Sequence, residues 1–230
     1  MSRTHSRLCL AAVAIAASSG VVAYAQDAGP DYFFKMRAQA GFSQDLGLQN
    51  AIGIGWGANF KSGAGQFGLE LSYHYNPGVI FRAAIPANTL GANQLNSVMT
   101  QKLQTNMVGA RASYSMPIDA GWSWQAGFGI YGAKARMETI GDFQVGATVD
   151  GAWTIVTEKS SLAFQPFGGV SYQFPDSASL EFNIVYVTYD TPNVTAAFAP
   201  GAGAYNRVTP VLGDKTVSNF RFEFNYVFHF

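Results

Sequence analysis

The sequence predicts an all-β fold, a membrane-spanning antiparallel up-and-down β-barrel of eight strands behind a cleavable signal peptide. Three observations predict it. From Val217 to Phe230, Phe220, Phe222, Phe224, Tyr226, Phe228 and Phe230 alternate with Arg221, Glu223, Asn225 and His229, which is the period of a strand. A water-soluble sheet would need a second layer over so long an apolar stripe. In a transmembrane barrel lipid covers it, and the charged face looks inward. Charged residues make up only 12% of the chain, yet no apolar run long enough for a spanning helix follows residue 25. Finally, the predicted strands are joined alternately by short turns and long segments, the pattern of a barrel with one short-turn rim and one long-loop rim.

Residues 1–25 carry Arg3 and Arg7, an apolar stretch from Leu8 to Ala17, and Ala23-Tyr24-Ala25. That order of basic, apolar and small-x-small segments reads as a secretory signal peptide. Residues 26–230 then form a single barrel domain. Cleavage removes Cys9, the only cysteine, so neither disulfides nor thiol chemistry are expected. A formal net charge of zero argues against a nucleic-acid partner.

The first strand places Tyr32, Phe34, Met36, Ala38, Ala40 and Phe42 outward and Lys35, Arg37 and Gln39 inward. In the second, Ile52, Ile54, Trp56, Ala58 and Phe60 alternate with Gly53, Gly55, Gly57 and Asn59, so its inward face is nearly empty. A turn from Lys61 to Gln66 leads to Phe67, Leu69, Leu71, Tyr73 and Tyr75, interleaved with Gly68, Glu70, Ser72 and His74. Residues 76–102, with Pro77 and Pro86, read as a long loop. The fourth strand puts Val108, Ala110, Ala112 and Tyr114 opposite Gly109, Arg111 and Ser113. Pro117 to Gly121 turn the chain into Trp122, Trp124, Ala126, Phe128 and Ile130.

Residues 136–162 read as a second long loop. Within it, Asp150-Gly151 is a two-residue hairpin signal between Phe143–Val149 and Ala152–Glu158. These arms are shorter than the nine to eleven or so residues that cross a bilayer, so they predict an extracellular hairpin, with ten strands as the second reading. The sixth strand, near Ala163–Phe174, contains Pro166, which cannot donate to a ladder and should lie above the membrane or at a bulge. After a turn from Pro175 to Ala178, Leu180, Phe182, Ile184 and Tyr186 alternate with Glu181, Asn183 and Val185. Residues 191–216 form a third long loop before the terminal strand.

Trp122, Trp124, Tyr172, Phe174, Tyr32, Phe34, Phe228 and Phe230 all fall at the turn end, where they predict an aromatic girdle. Tyr73, Tyr75, Tyr186 and Phe220 predict the opposite one. Inward-facing Lys35, Arg37, Arg111 and Arg221 accompany Glu70, Glu181 and Glu223, a candidate lumen network of ion pairs that plugs the barrel or gates a narrow channel. Glycines 53, 55 and 57 leave room for those side chains. Ser72 and His74 lie two apart near the outer rim, the spacing for a Ser–His pair on a strand, but their parity points them inward. No metal cluster, phosphate loop or nucleotide fingerprint appears along the sequence, so neither cofactor nor metal is expected.

The terminal pattern, with Phe222, Phe224, Tyr226, Phe228 and a final Phe230, resembles the C-terminal insertion signal of bacterial outer-membrane barrels. The penultimate His229 departs from it, since relatives often carry Arg or Lys there. With the signal peptide, the alternation and the turn asymmetry, the whole mature chain resembles the small OmpA- and OmpX-type eight-stranded barrels. The resemblance implies a Gram-negative outer-membrane location, neighbours that are outer-membrane lipids and lipopolysaccharide, and delivery by the barrel assembly machinery. It also implies a non-enzymatic surface role through loops 76–102, 136–162 and 191–216. A narrow porin-like channel and a lipopolysaccharide-modifying enzyme are the alternative readings.

Overall fold

The computed structural model describes residues 29–43, 47–84, 98–145, 148–192 and 216–230. They form β1 Asp31–Ser43, β2 Gly47–Ser62, β3 Gly65–Ala84, β4 Val98–Asp119, β5 Trp122–Val145, β6 Thr148–Gln173, β7 Ala178–Asp190 and β8 Thr216–His229. Neighbours in sequence pair antiparallel, and β8 returns to β1, so the eight strands close into an up-and-down barrel. The signal-peptide segment, residues 1–25, lies outside the described residues.

Closure follows from the period-two pattern. The β1–β8 register runs from Phe33 opposite His229 to Phe42 opposite Phe220, which sets Ala38 beside Phe224 and Ala40 beside Phe222. A shift by one residue would turn every apolar side chain of β8 into the lumen and every charge into lipid. Outward side chains are correspondingly bare of protein: Phe222 is 73% exposed, Leu71 69% and Trp56 63%. Such a surface is stable against hydrocarbon and not against water.

The limits of the lipid belt can be read on β5. Its outward residues are apolar from Trp122 to Ile130, and then Lys134 and Arg136 take over. Lys134 Nζ lies 2.7 Å from Glu158 Oε2 on β6, an exposed pair that belongs in water. The apolar run is thus about ten residues, the length that crosses a bilayer. Rings crowd its turn-side margin: Trp122 and Tyr172 lie 5.0 Å apart, Tyr172 and Phe174 5.2 Å, and Phe34 and Phe228 6.4 Å. On the other margin Tyr186 and Phe220 are 5.0 Å apart, and Tyr73 Oη donates to Asn106 Oδ1 at 2.7 Å.

The short connections sit at one rim. Gly63 (φ 62°) and Gly121 (φ 87°) supply the left-handed conformation that two-residue hairpins need. The long connections differ from expectation. The described parts of 76–102 and 136–162 are strand, since β3 continues to Ala84, β4 begins at Val98, β5 reaches Val145 and β6 starts at Thr148, while 85–97 and 146–147 lie outside the described residues. Above the membrane the outer face meets water, so the apolar-out signal that marks a lipid-facing strand is lost although the ladder continues. Pro77 is accommodated by a register shift between Asn76 and Val79, where Gly78 takes φ 120° and donates its amide to Asn76 Oδ1 at 3.0 Å.

Asp150-Gly151 is not the hairpin turn. Phe143 pairs with Gly151 and Gln144 with Val149, leaving Asp150 as the extra residue of a β-bulge. The hairpin is the continuous upper part of β5 and β6 rather than a separate unit, and the count among the described residues stays at eight strands. Residues 191–216 fall outside the described residues except at their ends. The upper parts of β3 to β6 therefore form a wall above the lower strands β7, β8, β1 and β2.

Pro166 sits neither above the membrane nor at a bulge. It faces outward at the level of Phe128, within the lipid belt. The β6–β7 ladder passes directly from Phe164 opposite Thr188 to Phe167 opposite Val185. The missing amide is thus taken up as a gap in that one ladder. Pro166→Val is expected to restore one ladder bond and raise barrel stability by about 0.5–1.5 kcal/mol. Urea unfolding in lipid vesicles, with slower amide exchange in β7, measures it; an unchanged midpoint would mean that the gap is imposed by the register.

Candidate functional site

Each strand contributes its inward residues to three layers of the lumen. The middle layer is ionic. Lys35 Nζ lies 2.9 Å from Glu181 and 3.3 Å from Glu70. Arg37 Nη2 lies 2.8 Å from Glu70 Oε1, and its Nε lies 3.2 Å from Glu223 Oε2. Arg111 Nη1 closes the series on Glu223 Oε1 at 3.0 Å. The series Glu181–Lys35–Glu70–Arg37–Glu223–Arg111 thus alternates in sign across β7, β1, β3, β8 and β4 and is neutral as a whole. Amides complete it: Gln39, Asn183 and Asn225 all donate to Glu223. The Arg111 guanidinium also stacks 3.8 Å from the Phe167 ring centroid.

Arg221 stands apart from these six. It donates to Gln39, Gln49 and Asn219, at 3.3, 2.8 and 3.4 Å, and among the described residues no carboxylate lies within ion-pair distance of it. Space for the network comes from glycines on the facing strands. A Cβ at Gly55 would strike the Glu70 carboxyl group, and one at Gly129 would come within 2.6 Å of Tyr131 Cε2 and 3.0 Å of Arg111 Cγ. The side chains of Arg37, Arg111 and Glu223 are shielded from water, at 0, 3 and 0% exposure.

Above the ions the lumen holds an apolar cluster, which the sequence reading missed, interleaved with buried Arg221, Gln101, Gln165 and Asn219. Leu103, Met107, Tyr131, Met137, Val185, Val187 and Val217 pack into one buried cluster. The signal was present as inward parity on β4, β5 and β7, but 103 and 137 fell at or inside segments that read as loops. Ser72 and His74 lie in this sealed interior, not at an outer rim. Ser72 Oγ is 3.0 Å and His74 Nε2 3.2 Å from Tyr131 Oη, and His74 Nε2 also meets Arg37 Nη1 at 3.1 Å. Each is bound to Tyr131 rather than to the other, so no nucleophile–base pair forms there.

Below the ions the lumen opens at the turn-side rim into a vestibule of 490 Å³, lined by serines and glutamines together with Lys35, Lys61, Asp119, Glu181 and His229. At its wall, where β7, β8 and β1 meet, His229 Nε2 lies 3.0 Å from Ser179 Oγ and His229 Nδ1 lies 2.8 Å from Asp31 Oδ2. Asn59 Nδ2 donates to the same Asp31 oxygen at 3.3 Å. Sequence reasoning placed His229 at a strand end and singled out neither partner. The barrel seam alone brings residues 31, 179 and 229 together, and no linear spacing encodes it.

The five residues of the terminal pattern, Phe222, Phe224, Tyr226, Phe228 and Phe230, lie on the outer face of the last strand or at its end. Phe224 contacts Phe182 with centroids 5.2 Å apart, Tyr226 contacts Phe228 at 4.7 Å, and Phe230 contacts Trp56 at 6.5 Å.

No protein-family model and no curated protein matches the chain. Among solved structures it is similar to Neisserial surface protein A, at 12% identity and TM-score 0.45 over 88% of this chain and 98% of that one. A major outer membrane protein from Thermus thermophilus matches at 13% identity and TM-score 0.45, over 86% of this chain and 99% of that one. Ail, the attachment invasion locus protein of Yersinia pestis, matches at 12% identity and TM-score 0.36, over 86% and 97%. A closed barrel with an apolar outer belt, aromatic margins and a polar lumen layer has one stable setting, a bilayer, and the fold is that of an eight-stranded membrane-spanning β-barrel.

Proposed function

We propose that the protein is a non-conducting outer-membrane barrel with a surface role, carried by the wall that β3 to β6 raise above the membrane and by the connections at its top. The observation that carries the reading is the closed ionic series from Glu181 to Arg111, roofed by the apolar cluster. An ion crossing the barrel would have to break charge pairs in a low-dielectric interior and then pass the packed cluster and the Arg221 guanidinium beside it. Losing one partner of such a pair costs about 3–5 kcal/mol.

Outer-membrane lipids and lipopolysaccharide are the surroundings of the belt and wall on this reading. The assembly machinery engages the last strand through Phe222 to Phe230. A surface partner would meet segments 76–102, 136–162 and 191–216, of which the first two include the upper ends of β3 to β6.

Single-channel recording in planar bilayers tests the proposal. The purified, heat-modifiable barrel is expected to be silent, and Arg37→Ala is expected to introduce brief openings by breaking the series at its centre. Discrete conductance steps from the parent protein would establish the narrow pore instead.

A further inference from the structure

We propose that Ser179, His229 and Asp31 form a hydrolytic triad at the periplasmic mouth of the barrel, acting on small water-soluble carboxylic esters that enter the vestibule. The inference goes beyond the surface role and does not depend on it. It concerns the other end of the molecule.

The geometry is that of nucleophile, base and orienting acid. Ser179 Oγ lies 3.0 Å from His229 Nε2, and Asp31 Oδ2 lies 2.8 Å from His229 Nδ1. A carboxylate accepting from Nδ1–H fixes the tautomer in which Nε2 has a free lone pair for the serine proton. Asp31 is itself steadied by the amide of Asn59, at 3.3 Å. The roles are defined by this arrangement, since such constellations recur on unrelated folds and in every chain order.

Ser179 is mostly buried, at 6% exposure, within the vestibule wall. Ser179 and His229 both line the 490 Å³ vestibule, which is open to the turn-side rim. Gln173, also in that lining, is the cross-strand partner of Ser179. Directly opposed residues hold their Cβ atoms about 5 Å apart, so the Gln173 amide is the donor for a developing oxyanion.

The chemistry needs only an ester and water. Ser179 Oγ attacks the ester carbonyl carbon as its proton passes to His229 Nε2. The carbonyl π electrons move onto the oxygen facing Gln173. The tetrahedral adduct collapses, the C–O bond to the alcohol breaks, and the departing oxygen takes the proton from Nε2. Water then attacks the acyl-serine, giving its proton to Nε2, which returns it to Ser179 Oγ as the carboxylic acid leaves. Asp31 orients the ring and balances the imidazolium.

The substrate class follows from where the triad faces. Lys61, Gln66, Ser115, Ser123 and Ser171 line the same space, whereas lipid meets the opposite side of these strands at Tyr32 and Phe228. Bilayer esters therefore lie beyond the barrel wall, and a soluble ester from the periplasmic side has direct access. The expectation of a non-enzymatic barrel rests on the resemblance to small barrels, and this constellation at the seam lies outside the residues that carry it.

The test uses the full barrel, refolded in detergent micelles, with a fluorophosphonate probe and p-nitrophenyl butyrate. Ser179 should carry the phosphonyl adduct by peptide mass spectrometry. Ser179→Ala should abolish it and lower butyrate hydrolysis at least about a hundredfold, and Asp31→Asn should lower kcat at least about tenfold. Gln173→Ala should lower kcat at least about tenfold with little change in KM. Heat-modified mobility reports that each variant is folded. A folded parent barrel whose Ser179 stays unlabelled would overturn the proposal and leave the three residues as a clamp on the seam. Hydrolysis unchanged in folded Ser179→Ala would overturn it equally.

Discussion

Replacing Glu223 with alanine is expected to lower the unfolding free energy of the barrel by about 3–5 kcal/mol. Glu223 is the acceptor on which the lumen converges. Arg111 Nη1 lies 3.0 and 3.1 Å from its two oxygens, Asn183 and Asn225 donate to Oε1 at 3.1 and 3.0 Å, and Gln39 donates to Oε2 at 2.6 Å. Removing it leaves Arg37 with Glu70 alone and Arg111 with no carboxylate, both guanidinium groups being shut off from water. The loss is set by that stranded charge more than by the bonds removed. Glu223→Gln keeps the shape and part of the bonding, so its loss should be intermediate. Urea unfolding in lipid vesicles, followed by tryptophan fluorescence and heat-modified mobility, measures both. An alanine variant within about 1 kcal/mol of the parent would show that water or lumen rearrangement rescues the arginines.

The second large effect is expected on the outside. Phe224→Arg should cost about 2–4 kcal/mol, the penalty for an arginine facing lipid near the bilayer midplane. Phe224 lies near the middle of β8, paired with Ala38 on one side and Phe182 on the other, and is 41% exposed at the barrel surface. Phe230→Arg, at the chain end, should cost about 1 kcal/mol or less, because its guanidinium reaches the headgroups. The pair separates depth from mere hydrophobicity. Refolding into vesicles avoids the assembly machinery, so the difference reports membrane energetics alone. Equal losses at the two positions would contradict the assigned depth of β8.

Much of the fold is legible in the sequence because lipid makes parity visible. Phe220 to Phe230 announce their outward face by being apolar, and Arg221 and Glu223 announce the inward one by being charged. The same rule hides the upper strands. Gln101, Leu103, Met137 and Thr139 face inward there, but with water outside, both faces tolerate polar residues and period two fades. Asp150-Gly151 misleads for a related reason, since an αL-tolerant dipeptide serves a bulge as readily as a turn. Pro166 does mark a missing donor, yet its place depends on which neighbouring strand bears the gap, a property of register rather than of sequence.

The site divides similarly. The six residues of the ionic series are each visible as an inward charge, but their order in space is set by closure of β8 on β1 and cannot be read along the chain. Arg221 illustrates the limit. It shares parity and strand with Glu223, two residues away, yet its reach is toward the amides of Gln39 and Gln49. Asp31 and Ser179 carry no signal at all until the seam places them on either side of His229.

The unequal height of the strands has a consequence in the plane of the membrane. A strand of the length of β5 rises about 3.3 Å per residue along a path tilted near 40°, so the wall tops the β7 rim by about 30 Å. Among the described residues the strands are thus unequal, β8 and β1 ending low and β4 and β5 standing tall, so a neighbour arriving over β4 and β5 meets an upright face.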